Sequence, residues 1–189
     1  MSAARHFPLA QLWKDEVQDT VTSMQPLDRT VPLAAAGGAV ARVIDFPGHP
    51  RLRGLLGDYL RAAKKIVFVV DAAGDEAHFT AAAELMFDLL TNAAVATAAP
   101  PLLLLGAQLE KSGARPMDAL KADLQAAVTA VKESRASMLA TGESDVSGVL
   151  GRKGAPFTFD NDAPTSVHMG ALSAVTGAGM PALVDFITS

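Results

Sequence analysis

Five consecutive apolar residues followed by an acid, Ile66-Val-Phe-Val-Val-Asp71, constrain this chain more than any other stretch. An apolar run of that length has no polar face to turn towards water. It predicts a strand buried on both faces, as in a parallel sheet. A second β-branched run, Val43-Ile44, also ends in an acid, Asp45. A Pro-Gly turn and a leucine-bearing segment lie between the two runs. Strand, helix and strand in that order predict a parallel βαβ unit. Polar residues at the carboxyl ends of such strands face the ligand crevice. Asp45, Gly48, His49 and Asp71 are therefore candidate site residues.

The same alternation runs along the chain. Parallel strands are expected at Ala39–Ile44, Ile66–Asp71, Leu102–Leu105 and Val167–Leu172. Thr30 to Leu33 reads as an edge strand because it carries Pro32, and Ala36-Gly37-Gly38 turns the chain after it. Helices are expected over Pro8–Val17, Arg51–Lys65, Asp75–Ala93, Pro116–Leu139 and Met180–Ile187, each with an apolar stripe at helical spacing. Gly54 and Gly57 weaken the second of these. Phe157 and Phe159 alternate and predict one face of a short strand. Met117 and Met138 are expected to fill gaps in the core. Arg51, Arg53, Arg61, His78 and the Arg152-Lys153 turn read as solvated surface. The Gly-, Ser- and acid-rich stretch Ala140–Val149 reads as a mobile loop. The whole, residues 1–189, is expected to form a single α/β domain.

Composition narrows the function classes. A net charge of −4 gives no basic footprint for nucleic acid. The chain has no cysteine, which excludes disulfides and thiolate metal sites. No apolar run approaches the ~18 residues of a membrane span, and Met1 to Phe7 is too short and polar for a signal peptide. The chain as written is expected to be soluble.

Asp45-Phe-Pro-Gly-His49 resembles the D-x-P-G-H switch II motif of the small GTPase-like β subunit of the signal recognition particle receptor. The resemblance extends from about Leu9 to the carboxyl end. Asp19-Thr-Val-Thr-Ser23 is similar to that family's switch I segment, Glu84-Leu-Met-Phe-Asp-Leu89 to its E-L-x-x-x-L run, and Leu150 to Phe159 to its L-G-x-x-G-x-x-F-x-F element. Ser173-Ala174 resembles its final nucleotide loop. The resemblance implies a three-layer GTPase-like fold with a mostly parallel sheet, and GTP with Mg²⁺ as ligands. It implies that Thr22 and Asp45 serve the metal, Asp45 through water. The Gly48 amide would meet the γ-phosphate, and His49 would position the attacking water. Gln108, Ser173 and Ala174 would lie at the base. The implied partner is the amino-terminal domain of the receptor α subunit, on the cytoplasmic face of the endoplasmic reticulum membrane.

Two departures from the family pattern stand beside the match. Gly106-Ala-Gln-Leu109 occupies the place of N-K-x-D, whose Asp reads guanine and whose Lys packs on the base. The P-loop, G-x-x-x-x-G-K-[ST], does not occur in these 189 residues. The first, central strand of the sheet and the family's amino-terminal membrane span are also expected to be missing. A truncated chain and a degenerate GTPase that keeps its protein-binding surface both account for this. Nucleotide binding is expected to be impaired either way. Two other functions match part of this pattern. An Arf- or Sar-like small GTPase shares the fold. An α/β-hydrolase would match D-x-P-G, but no serine here lies in a G-x-S-x-G frame.

Overall fold

The computed structural model describes residues 25–32, 40–140 and 150–189. In chain order the elements are β1 (Leu27–Pro32), β2 (Val40–Asp45), α1 (Arg53–Leu60), β3 (Ile66–Asp71), α2 (Glu76–Leu90), α3 (Ala93–Ala98), β4 (Leu102–Ala107), α4 (Met117–Ala140), α5 (Phe159–Asp162), β5 (Val167–Leu172) and α6 (Met180–Thr188). A 3₁₀ turn, Pro50–Leu52, precedes α1.

β3, β4 and β5 form a parallel sheet in the order β3-β4-β5, with Ile66 opposite Leu102 and Leu102 opposite Val167. β4 lies in the middle, and all six of its residues are buried. One face of this sheet carries the larger core. Ile66, Phe68, Val70, Leu102 and Leu104 share it with Phe79, Ala83, Met86, Phe87 and Leu90 of α2 and Leu120, Leu124 and Val128 of α4. The other face, with Leu103, Leu105 and Leu172, is closed by Leu183 of α6. Fully burying a leucine or valine contributes about 1.5–3 kcal/mol, so these two layers supply most of what holds the sheet.

The strand expected at Ala39–Ile44 takes a different place from its three companions. β2 pairs antiparallel with β1, Leu27 opposite Asp45 and Pro32 opposite Val40. Among the described residues no ladder hydrogen bond joins this two-stranded ribbon to the parallel sheet. The hairpin supplies β2 with its neighbour locally, and Arg42 donates to the Asp28 carboxylate across it at 2.6 Å. Phe46 then ties the ribbon into the fold, packing edge-on against Tyr59 of α1 at 5.5 Å between ring centres.

Three further expectations are corrected. Phe157 and Phe159 do not alternate along a strand; their rings meet edge-to-face at 5.1 Å, and α5 begins at Phe159. The backbone amides there are taken by α4 side chains rather than by a strand. Phe157 N donates to Thr129 Oγ1 and Phe159 N to Gln125 Oε1, each at 2.9 Å. Met138 is 46% exposed and fills no core gap, whereas Met117 packs against the core beneath Gly106. Arg53 is not merely solvated: it donates to Glu84 at 3.0 Å and lies 3.5 Å from Asp88, tying α1 to α2. Helix α3 was not foreseen; Asn92 caps it by accepting from Ala94 N. The expected helix at Pro8–Val17 and the expected loop core at residues 141–149 lie outside the described residues.

Candidate functional site

Three parallel strands end together, and the residues at or just after those ends form one rim: Asp71 on β3, Gln108 after β4 and Ser173 after β5. The ladder places Asp71 opposite Ala107, and Ala107 opposite Leu172, so the three positions are side by side. Asp71 caps its own turn, accepting from Ala73 N at 2.9 Å while Gly74 N donates to its carbonyl at 3.0 Å. Lys111 Nζ stands 3.8 Å from the Asp71 carboxylate. Gln108 adopts φ 64°, a left-handed conformation uncommon without glycine. Its carbonyl accepts from Lys111 N, so the residue turns the chain sharply off β4. Ser173 is buried, and its Oγ accepts from Thr176 N at 3.2 Å. Its N–H donates to Ala178 O, which closes the loop over Ala174.

Arg115 is the residue here that sequence reasoning missed. Its Nη1 donates to Gly74 O at 2.7 Å, its N–H to Ala72 O at 2.9 Å, and its Nε to Asp123 at 2.9 Å. The guanidinium lies over the Phe79 ring, 4.2 Å from its centre. One side chain thus fastens the turn after β3 to the loop after β4 and to α4. Its signal was faint: Ser112-Gly-Ala-Arg-Pro116 resembles the corresponding segment of the receptor β subunit, which by itself gives the arginine no role. Next to it, Asp75 caps α2. The N–H and ring of His78 hold the Asp75 carboxyl below its ordinary range.

The second group follows β2. Asp45 ends the strand, Pro47 is buried, and Gly48 is exposed. His49 caps the 3₁₀ turn, its Nδ1 accepting from Arg51 N at 3.2 Å. A neutral ring so held carries its proton on Nε2. Space does not demand a glycine at Gly48, since an added Cβ would meet only Leu85 Cδ2 at 3.7 Å. Thr22 lies outside the described residues. The structure therefore presents two groups, one on the ribbon and one on the parallel rim, each at a strand's carboxyl end.

The family profile described as "Signal recognition particle receptor beta subunit" matches residues 6–165. The chain belongs to that family. A mouse signal recognition particle receptor subunit beta is 26% identical over 172 residues, covering 89% of this chain and 64% of the relative. The yeast subunit (Saccharomyces cerevisiae) is 37% identical over 87 residues, 44% of this chain and 34% of the relative. The chain thus spans less than two thirds of the length of these curated relatives. A solved structure of the mammalian receptor superposes with a TM-score of 0.76 at 24% identity, covering 95% of this chain and 89% of that one. A Chaetomium thermophilum receptor subunit, solved with GDP and Mg, superposes with a TM-score of 0.59 at 21% identity over 77% of each chain. These likenesses establish the GTPase-type α/β fold. They lend no support to the hydrolase alternative; Ser173 is buried, and its Oγ accepts from Thr176 N.

Proposed function

We propose that this signal recognition particle receptor β-family chain is a protein-docking subunit that engages the receptor α subunit in co-translational targeting. The observation that carries the proposal is the family match across residues 6–165, running through Asp45-Phe-Pro-Gly-His49. In a related Chaetomium thermophilum structure the β subunit, in its GTP form, is solved in complex with SRX. This reading takes the docking surface to be the one beside the 3₁₀ turn that follows Asp45-Phe-Pro-Gly-His49, where His49 accepts from Arg51 N and Leu55 is 46% exposed. Placement at the endoplasmic reticulum follows from that partner. No helix of the described residues is long and apolar enough to cross a membrane.

Nucleotide binding is impaired in this reading. A triphosphate needs converging amides, a lysine and a hydroxyl on Mg²⁺. The 189 residues hold no G-x-x-x-x-G-K-[ST] run. Lys111 at the rim stands beside Asp71, and Gln108 supplies no carboxylate for a guanine edge. The residues present fit a Mg–GTP group poorly, and no hydrolytic role is assigned to His49. Each missing charge-assisted hydrogen bond costs about 1.5–3 kcal/mol, and several are missing.

Titration with a fluorescent GTP analogue in Mg²⁺ buffer, alongside capture by the α-subunit amino-terminal domain, separates the two claims. Capture without nucleotide, weakened at least about tenfold by Arg51→Glu together with Leu55→Asp, is expected; that is ~1.4 kcal/mol. Tight, guanine-selective binding would overturn the nucleotide claim. Failure of capture would overturn the docking claim and favour an Arf-like role. The observation behind that second reading is 40% identity over 83 residues to an Arabidopsis thaliana ADP-ribosylation factor-like protein 8d, 44% of this chain.

A further inference from the structure

Cations gather where the parallel strands begin. Ile66, Leu102 and Val167 stand side by side at the starts of β3, β4 and β5. Lys64 and Lys65 come directly before Ile66, and Arg61 caps the end of α1 just upstream. Arg61 and Arg135 of α4 line one open hollow with Thr97 and Ala98, which lie shortly before β4. One turn back along α4, the buried Lys132 donates from Nζ to Arg152 O at 2.6 Å and to Ala155 O at 2.9 Å. Ala155 N closes that turn on Arg152 O at 3.3 Å. The turn is pinned from beneath, and its Arg152 and Lys153 are exposed. Among the described residues neither makes an ion pair.

Among the described residues, acids at this end are fewer. Asp58 pairs with Arg61, Asp88 lies between Arg53 and Arg135, and Glu133 and Asp185 are exposed. The other end has the opposite sign. Asp71, Asp75, Glu76, Glu110, Asp118 and Asp123 gather about the carboxyl ends of β3 and β4, where Lys111 and Arg115 are outnumbered. The net charge of −4 is thus unevenly spread, and one end of an acidic chain attracts anions. Helix α1 joins the two regions. It begins at the 3₁₀ turn and ends at Arg61, about 12 Å away along its axis. A surface met by the basic end therefore leaves the docking turn clear.

We propose that the amino end of the parallel sheet is a membrane-facing surface that meets the anionic headgroups of a bilayer. Its cations come from α1, the approach to β3, α4 and the Arg152–Ala155 turn, so they spread over one end instead of lining a groove. Headgroups in a plane ask only for such a spread. A nucleic-acid strand asks for a basic groove with stacking aromatics. Screening over ~8 Å at physiological salt confines the attraction to the end nearest the lipid. The same charge separation turns the acidic rim away from it. The inference rests on the receptor-subunit reading above only for which membrane is met.

Cosedimentation of the full chain with phosphatidylcholine vesicles, with and without phosphatidylinositol, tests it. Binding is expected only with the anionic lipid and should fall as salt is raised; that series depends on no variant folding. Arg152→Glu together with Lys153→Glu should weaken binding at least about tenfold, and Arg61→Glu with Lys64→Glu should do the same. Arg42→Glu with Lys121→Glu makes an equal change in net charge elsewhere and should leave binding unaltered. No binding to the anionic vesicles, equal binding to the neutral ones, or a control pair that weakens it as much would overturn the proposal. Tighter binding to a single-stranded RNA than to the vesicles would overturn it in favour of nucleic acid. Capture by the α-subunit domain is measured without lipid, so failure of the docking reading is distinguishable from failure of this one.

Discussion

Ala99 ends α3 in the left-handed region, at φ 45° and ψ 49°, where a helix terminus ordinarily has glycine. The methyl group there opposes the backbone. Ala99→Gly should therefore raise stability by about 0.5–1 kcal/mol, from a cost of ~1–2 kcal/mol for the left-handed residue less glycine's larger chain entropy; urea denaturation reads it. Asp88 gives the opposite kind of lever. Burial lifts its carboxyl above the ordinary 3.8, against the pull of Arg135 and Arg53 and with the help of Glu84. In the window between 3.8 and the raised value the folded chain binds more protons than the unfolded one. Its contribution therefore favours folding at low pH and is lost as pH rises through that window. Asp88→Asn carries no such proton. A denaturation series at several pH values should find the difference between variant and wild type moving in favour of Asn as pH rises. No such change would mean the carboxyl is better hydrated than its position between the two arginines indicates.

Elements whose seams run through backbone contacts were the hardest to foresee. β3 and β4 were legible because an all-apolar run has one use. The short strand expected at Phe157 was not, because its amides are claimed by Gln125 and Thr129 more than twenty residues away. Lys132 was equally hidden: it is buried, with Nζ donating to the carbonyls of Arg152 and Ala155 at 2.6 and 2.9 Å. A lysine in a helical stripe reads as solvent-facing until its carbonyl partners are known. Of the site, the strand-end acids and Ser173 could be read from the chain, whereas Arg115 could not, since its bonds reach Ala72 and Gly74 some forty residues upstream. The link from β5 to α6 is a further seam of this kind. Gly179 has φ 84°, and an added Cβ would fall 1.8 Å from Ala171 O. Gly179→Ala should cost well over ~1 kcal/mol and expose Leu103 and Leu105. A thermal melt matching wild type would show that the loop can swing clear.

Across the whole molecule, the two sheets share no ladder bond among the described residues, so nothing obliges them to open together. Amide hydrogen exchange should find β1 and β2 exchanging well ahead of β4, whose residues are all buried; equal protection would contradict this. The sheet division was only half legible, because the hairpin and the parallel run can each be read locally while their junction is a matter of hydrogen bonds between distant segments. The bond from Lys65 to Phe186 O and Ser189 Oγ has a practical side. It holds the last residue beside the start of β3, whereas Asp71 and its neighbours occupy the finish. Six residues at about 3.3 Å each put the two roughly 20 Å apart. A tether or dye joined to Ser189 therefore leaves from the far end of the molecule. A sensor chip loaded through Ser189 would hold the carboxyl ends of the parallel strands, with the half-buried Asp71 among them, outward.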